Sequence, residues 1–107
     1  MALRITVNQQ DDTCVIGVEG EVDLYSSPDL RSAILKALKN GCPVGVNLQG
    51  VAYMDSSGVA TLIEGLKTAG QQNVAFSLMV PSTAVMKVLQ LSRLDTVFAI
   101  RGVGEGV

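Results

Sequence analysis

Asp55, Ser56 and Ser57 stand in succession, followed by Gly58 and an apolar run. Two hydroxyls beside a carboxylate can do several kinds of chemistry. A serine can act as a nucleophile if a base takes its proton. A serine can also carry an added anionic group such as phosphate. The same residues can simply start a helix, because short side-chain oxygens accept free N–H groups of the first turn. The nucleophile reading lacks its base. There is no histidine in the 107 residues, so neither a Ser-His-Asp nor a Cys-His triad can be assembled. Lys67 would lie about three turns further along the same helix, too far to serve. Capping and modification are compatible with each other. A negative group added at a helix start meets unpaired N–H donors and the positive end of the dipole.

The elements that must hold this turn can be read from periodicity. Val59, Leu62, Ile63 and Leu66 recur at helical spacing, predicting a helix to about Ala69, with residues 70–73 as a turn. Gly65 inside that helix costs about 1 kcal/mol relative to alanine, which close packing against a neighbour would explain. Ahead of the turn, Val44, Val46 and Leu48 alternate as a strand. Leu3, Ile5 and Val7, then Cys14, Ile16 and Val18, predict an antiparallel pair joined through polar residues 8–12. Gly20-Glu21-Val22-Asp23 closes the second strand, where Asp23 taken alone reads as a surface turn residue. Ser27 suits a helix cap and Pro28 the first helical position, ahead of Leu30, Ala33, Ile34, Ala37 and Leu38 on one face. Asn40-Gly41 and Pro43 stop that helix. A fourth strand is expected over residues 74–80. A third helix is expected from Pro81-Ser82-Thr83 with Val85, Val88 and Leu89 on one face, and a short edge strand over residues 96–100. Strands alternating with helices argue an α/β domain, and the leading hairpin makes its sheet mixed.

Composition narrows the function. Nearly half the residues are hydrophobic, enough for a core without metals or disulfides, and the length fits one domain, residues 1–107. Net charge is −2 and the lysines and arginines are scattered, which argues against direct nucleic-acid binding. Cys14 and Cys42 show no CxxC spacing and read as free thiols in a reducing cytosol. No signal peptide, membrane-length apolar run, P-loop or dinucleotide fingerprint is present. The expectation is a cytoplasmic protein with no cofactor, no metal, no membrane insertion and no catalytic residues.

The run MDSSG, preceded by VNLQGVAY and followed by VATLIEGLK, resembles the STAS domain of bacterial anti-sigma factor antagonists. Gly-Glu-Val-Asp at residues 20–23 and the run VAFSLMVPSTAVMKVLQLSRLDTVFAI are similar to that family as well. The resemblance spans residues 3–100. It implies an α/β fold of about five mixed strands with helices packed mainly on one face. It implies that Ser56 is the phosphorylation site, with Asp23, Asp55, Ser57 and Gly58 at the partner-binding surface. It further implies partner switching: the unphosphorylated domain binds an anti-sigma factor that is also a GHKL-type serine kinase, releasing a sigma factor. A PP2C-type phosphatase reverses the modification. The alternative is a non-catalytic STAS subunit of another assembly, such as a lipid-transport ATPase or a stress-signalling scaffold. Two departures stand out. Asn47 occupies a position where the family often has aspartate. Residues 101–107 are too glycine-rich and short for the family's final helix, so either that helix is missing or another chain covers its site. Oligomeric state is left open.

Overall fold

The computed structural model describes residues 3–102. Its elements run β1 (Arg4–Gln10), β2 (Thr13–Val22), α1 (Ser27–Lys39), β3 (Val44–Met54), α2 (Ser56–Gln72), β4 (Phe76–Met79), α3 (Thr83–Leu91) and β5 (Ala99–Arg101). The five strands form one sheet in the order β1-β2-β3-β4-β5. β1 is antiparallel to β2 and the other three pairings are parallel. Because each crossover moves one strand in the same direction and is right-handed, the helices all fall on one face. Alternate residues Ile16, Val46, Leu48 and Leu78 meet Leu30, Ile34, Leu62, Val85 and Leu89 in a single core. The architecture is the α/β arrangement expected from the sequence, with three helices among the described residues. None of these helices is long and apolar enough to cross a membrane. The possible final helix concerns residues 101–107, of which 103–107 lie outside the described residues.

Two features explain how α1 and α2 are held. A side chain at Gly65 would come within 2.8 Å of the Phe76 ring and 3.0 Å of Ile34, so the glycine permits close approach of α2 to both neighbours. Arg31 of α1 grips Glu64 of α2 through two parallel hydrogen bonds of 2.7 and 2.8 Å. Those bonds hold the Glu64 carboxyl below the ordinary carboxylate range.

Several boundaries differ from expectation. α2 continues to Gln72 because Asn73 tolerates a left-handed conformation at φ +59°. The Asn73 and Val74 N–H groups then close the helix on Gly70 and Ala69 carbonyls. β4 is shorter than residues 74–80, and Val80 has left the strand at φ +44°. The last strand starts at Ala99 rather than at 96. Both Val97 and Phe98 donate to the Leu94 carbonyl, making a turn that places the Phe98 ring 6.5 Å from the Phe76 ring. Burial of that aromatic pair outweighs the strand propensity of Thr96 and Val97. Cys14 and Cys42 are both free thiols; burial, with Cys42 nearby, pushes the Cys14 thiol up.

Candidate functional site

β2 and β3 finish together. Val22 is in register with Met54, and the Asp55 N–H donates to the Val22 carbonyl at 3.1 Å. Asp23 and Asp55 therefore follow the last paired residues at one edge of the sheet. This is the carboxyl edge of the parallel strands, where open α/β sheets place their sites. α1 and α2 both begin there, and their N-terminal ends are turned to the same edge.

At the start of α2, Asp55 is the N-cap in extended conformation, and its carboxylate accepts the Ser57 N–H at 2.9 Å. The Ser57 hydroxyl donates to the same carboxylate oxygen. The Asp55 carbonyl accepts the N–H groups of Gly58 and Val59, and the Ser57 carbonyl accepts the Thr61 hydroxyl at 2.9 Å. Ser56 is the first helical residue and is exposed, and its hydroxyl enters none of the hydrogen bonds made by the described residues. Ser57 is half-buried. Gly58 is buried: a side chain there would approach Met54 and Val22 atoms to 2.7 and 2.8 Å. Its backbone lies beneath the surface and sets how closely the helix start packs on the strand ends.

The neighbouring turn is organised by Asp23. Its carboxylate accepts the N–H groups of Tyr25 and Ser26, each at 3.0 Å, and the Ser26 hydroxyl at 3.1 Å. The Ser26 hydroxyl is also 2.9 Å from the Asp23 N–H and 2.8 Å from the Glu21 carbonyl. The Ser26 N–H chiefly holds the Asp23 carboxyl below its usual range; desolvation, the next largest influence, opposes it, and the Ser26 hydroxyl and the Tyr25 N–H add to the lowering. This corrects the expected helix start. Ser26 occupies the cap position without a side-chain cap bond, and Ser27 is the buried first residue of α1. The Ser26 hydroxyl is unavailable for capping because the Asp23 turn has taken it.

Sequence reasoning missed the apolar flank of this edge. Leu24 is 67 % exposed, Tyr25 89 % and Tyr53 49 %. For Leu24 and Tyr25 the available signal was large apolar residues in a turn with no helical or strand periodicity, whereas Tyr53 stands near the end of β3. Electrostatically the edge is one-sided: Glu21 lies near the end of β2 and Asp23 and Asp55 lie in the turns that follow β2 and β3, and residues 19–29 and 52–62 contain no lysine or arginine. Among the described residues, no group of three or more His, Cys, Asp or Glu side chains is placed to hold a metal ion.

The family model described as "Mlab, STAS domain" matches residues 5–102. The anti-sigma-B factor antagonist of Bacillus subtilis is 26 % identical over 106 residues, covering 99 % of this chain and 97 % of that protein. The crystal structure of an anti-sigma factor antagonist from Mycobacterium paratuberculosis superposes with a TM-score of 0.86 at 24 % identity, covering 94 % of this chain and 86 % of that one. The Bacillus cell fate determinant SpoIIAA in its phosphorylated form gives a TM-score of 0.73 at 25 % identity, over 95 % and 94 % of the two chains.

Proposed function

The chain belongs to the STAS domain family, and from that premise we propose that it is an anti-sigma factor antagonist switched by phosphorylation of Ser56. One observation carries the choice of residue. Of the four serines in the two adjoining turns, Ser56 combines exposure with an uncommitted hydroxyl. Ser26 and Ser57 are tied to carboxylates, and Ser27 is buried.

In the unphosphorylated state the edge offers Leu24, Tyr25 and Tyr53 as an apolar surface beside Ser56. Exposed tyrosines are effective interface anchors, because they bury a large area at little entropic cost. The occupant is an anti-sigma factor that is also a serine kinase of the GHKL type. The Ser56 oxygen attacks the γ-phosphorus of the kinase's ATP, ADP leaves, and the hydroxyl proton passes to a base on the kinase. A PP2C-type phosphatase reverses this with water, returning serine and inorganic phosphate.

Phosphate adds about −1.5 to −2 charge. The start of α2 tolerates it, since the helix end favours an anion. The surroundings do not neutralise it, because the charged residues beside it, Glu21 at the end of β2 and Asp23 and Asp55 in the turns, are all acidic. Desolvating that charge at an interface is costly. A change of about 3 kcal/mol weakens binding about two hundredfold. The domain stays folded while association is lost. In this reading Asp55 and Ser57 hold the backbone that presents Ser56, Asp23 holds the adjoining turn that carries Leu24 and Tyr25 to the partner, and Gly58 lets the start of α2 pack closely on Met54 and Val22.

Incubation with the co-encoded kinase and ATP, followed by mass spectrometric mapping, tests the proposal. Phosphate on Ser56 is expected. Phosphate on Ser57 alone, or none with a kinase active on another substrate, would overturn it. A second reading is a non-catalytic STAS subunit of another assembly such as a lipid-transport ATPase, since membership of the STAS family does not by itself select the assembly. It predicts stable association with an ATPase and no kinase-dependent label.

A further inference from the structure

The two edges of the sheet are built differently. β5 is three residues long and includes Arg101. β1 is seven residues long, pairs with β2 without a bulge, and is unpaired on its outer side among the described residues. Edges of that length are normally blunted by a charge, a proline, a bulge or a covering segment. The charged residue of β1, Arg4, sits at the first position of the strand, beside Glu19 of β2 at 3.1 Å, so the middle of the outer edge around Val7 carries no charge. Val7 is 57 % exposed. Beside it runs a groove of about 440 Å³ between β1 and α1, floored by Ile5, Val7, Ala33 and Ala37 and rimmed by Asp29 and Lys36.

We propose that β1 pairs with β1 of a second copy of this chain, antiparallel, about a two-fold axis at Val7. The backbone supports this register. Residues of an antiparallel strand alternate between those bonded to their neighbour and those whose N–H and C=O point away. Gln10 and Thr13 close a two-residue turn whose first residue, Asp11, has φ +54°. The pair that closes such a hairpin is hydrogen-bonded. Alternation then turns the main-chain groups of Gln9, Val7 and Ile5 outward. An axis at Val7 sets Val7 against Val7 and Ile5 against Gln9, so every outward donor meets an outward acceptor.

The charges also favour a second copy. Arg4 lies at the end of β1 where β2 finishes, and Asp11 lies at the other end. The two-fold axis exchanges these ends and brings Arg4 of each copy toward Asp11 of the other. Asp29 and Lys36 lie toward opposite ends of α1, so the axis brings unlike charges together there too. The apolar floors of the two grooves meet at the Val7 pair. An unrelated strand would need all of these matches by coincidence, whereas the two-fold axis supplies them from one chain.

Sedimentation equilibrium of the full chain tests the pairing. The wild-type protein should form a dimer that dissociates on dilution. Val7→Lys places two cations together at the axis and should give a monomer with an unchanged circular dichroism spectrum. Amide exchange provides a readout that does not depend on the variant folding. The Ile5, Val7 and Gln9 amides should be protected in the dimer and exchange faster as the protein is diluted. A wild type that stays monomeric at high protein concentration, a dimer that survives Val7→Lys, or outward amides indifferent to dilution would each overturn the proposal.

Discussion

The turn after β2 and the turn after β3 start from similar material, an aspartate followed within four residues by two serines, and leave the sheet side by side. They use it in opposite ways. In the first, Asp23 and Ser26 bind each other and the turn backbone, and the next serine is buried. In the second, Asp55 closes on Ser57 and skips the residue between them. That skip leaves Ser56 as an exposed hydroxyl at a helix start. The difference teaches that the chemistry available to a serine depends on which hydroxyl its neighbouring carboxylate consumes. Proximity to an aspartate does not by itself free a hydroxyl.

The contrast can be broken most sharply at the hydroxyls. Ser56→Ala should abolish kinase-dependent labelling, while Ser57→Ala and Ser26→Ala should retain most of it; intact-mass measurement of each variant distinguishes them. Next in size is the effect of charge on association. Ser56→Asp should weaken partner binding at least tenfold relative to Ser56→Ala, about 1.4 kcal/mol, and change stability by no more than about 1 kcal/mol. Calorimetry against the partner and urea unfolding would give the two quantities, and equal affinity of both variants would show that charge at this turn does not control association.

Packing beneath the second turn comes third. Gly58→Val should cost about 1–3 kcal/mol, because the added side chain is forced against Val22 and Met54. Asp55→Ala removes the cap of α2 and should cost about 1 kcal/mol in the same urea assay. It should also slow labelling of Ser56, since the helix start would no longer be held.

The smallest effect is a pH dependence in the first turn. The Asp23 carboxyl titrates lower folded than unfolded. Its stabilisation is therefore present above the unfolded value and lost as pH falls through the folded value. The gap in urea midpoint between wild type and Asp23→Asn should accordingly be largest near neutrality and close in acid. A gap constant with pH would mean that the ionised carboxylate is not what organises this turn.

Much of the fold was legible because its signals are local. Alternation marked β1, β2 and β3; helical spacing marked α1, α2 and α3; and Asn40-Gly41 marked a stop. The boundaries that moved were those decided by partners distant in sequence. Phe98 left its expected strand to meet Phe76, 22 residues earlier. Ser26 lost its capping role to a turn that ties it to Glu21 and Asp23. Gly65 could be recognised as costly from its helical position, but its two neighbours belong to β4 and α1.

By itself the sequence determined that a helix would start at Asp55-Ser56-Ser57, because capping depends on residues within one turn of each other. It also determined that no histidine-based chemistry could occur there. The geometry of the cap decided that Ser57 is committed and Ser56 is free, because the Asp55 carboxylate reaches Ser57, two residues on, and passes over Ser56. Only the parallel register of β2 and β3 brought Asp23, Leu24 and Tyr25 beside Tyr53 and Ser56. Residues 30 positions apart become neighbours when two strands pair along their length and end together, and that pairing depends on burial of Ile16, Val46 and their neighbours under the helices.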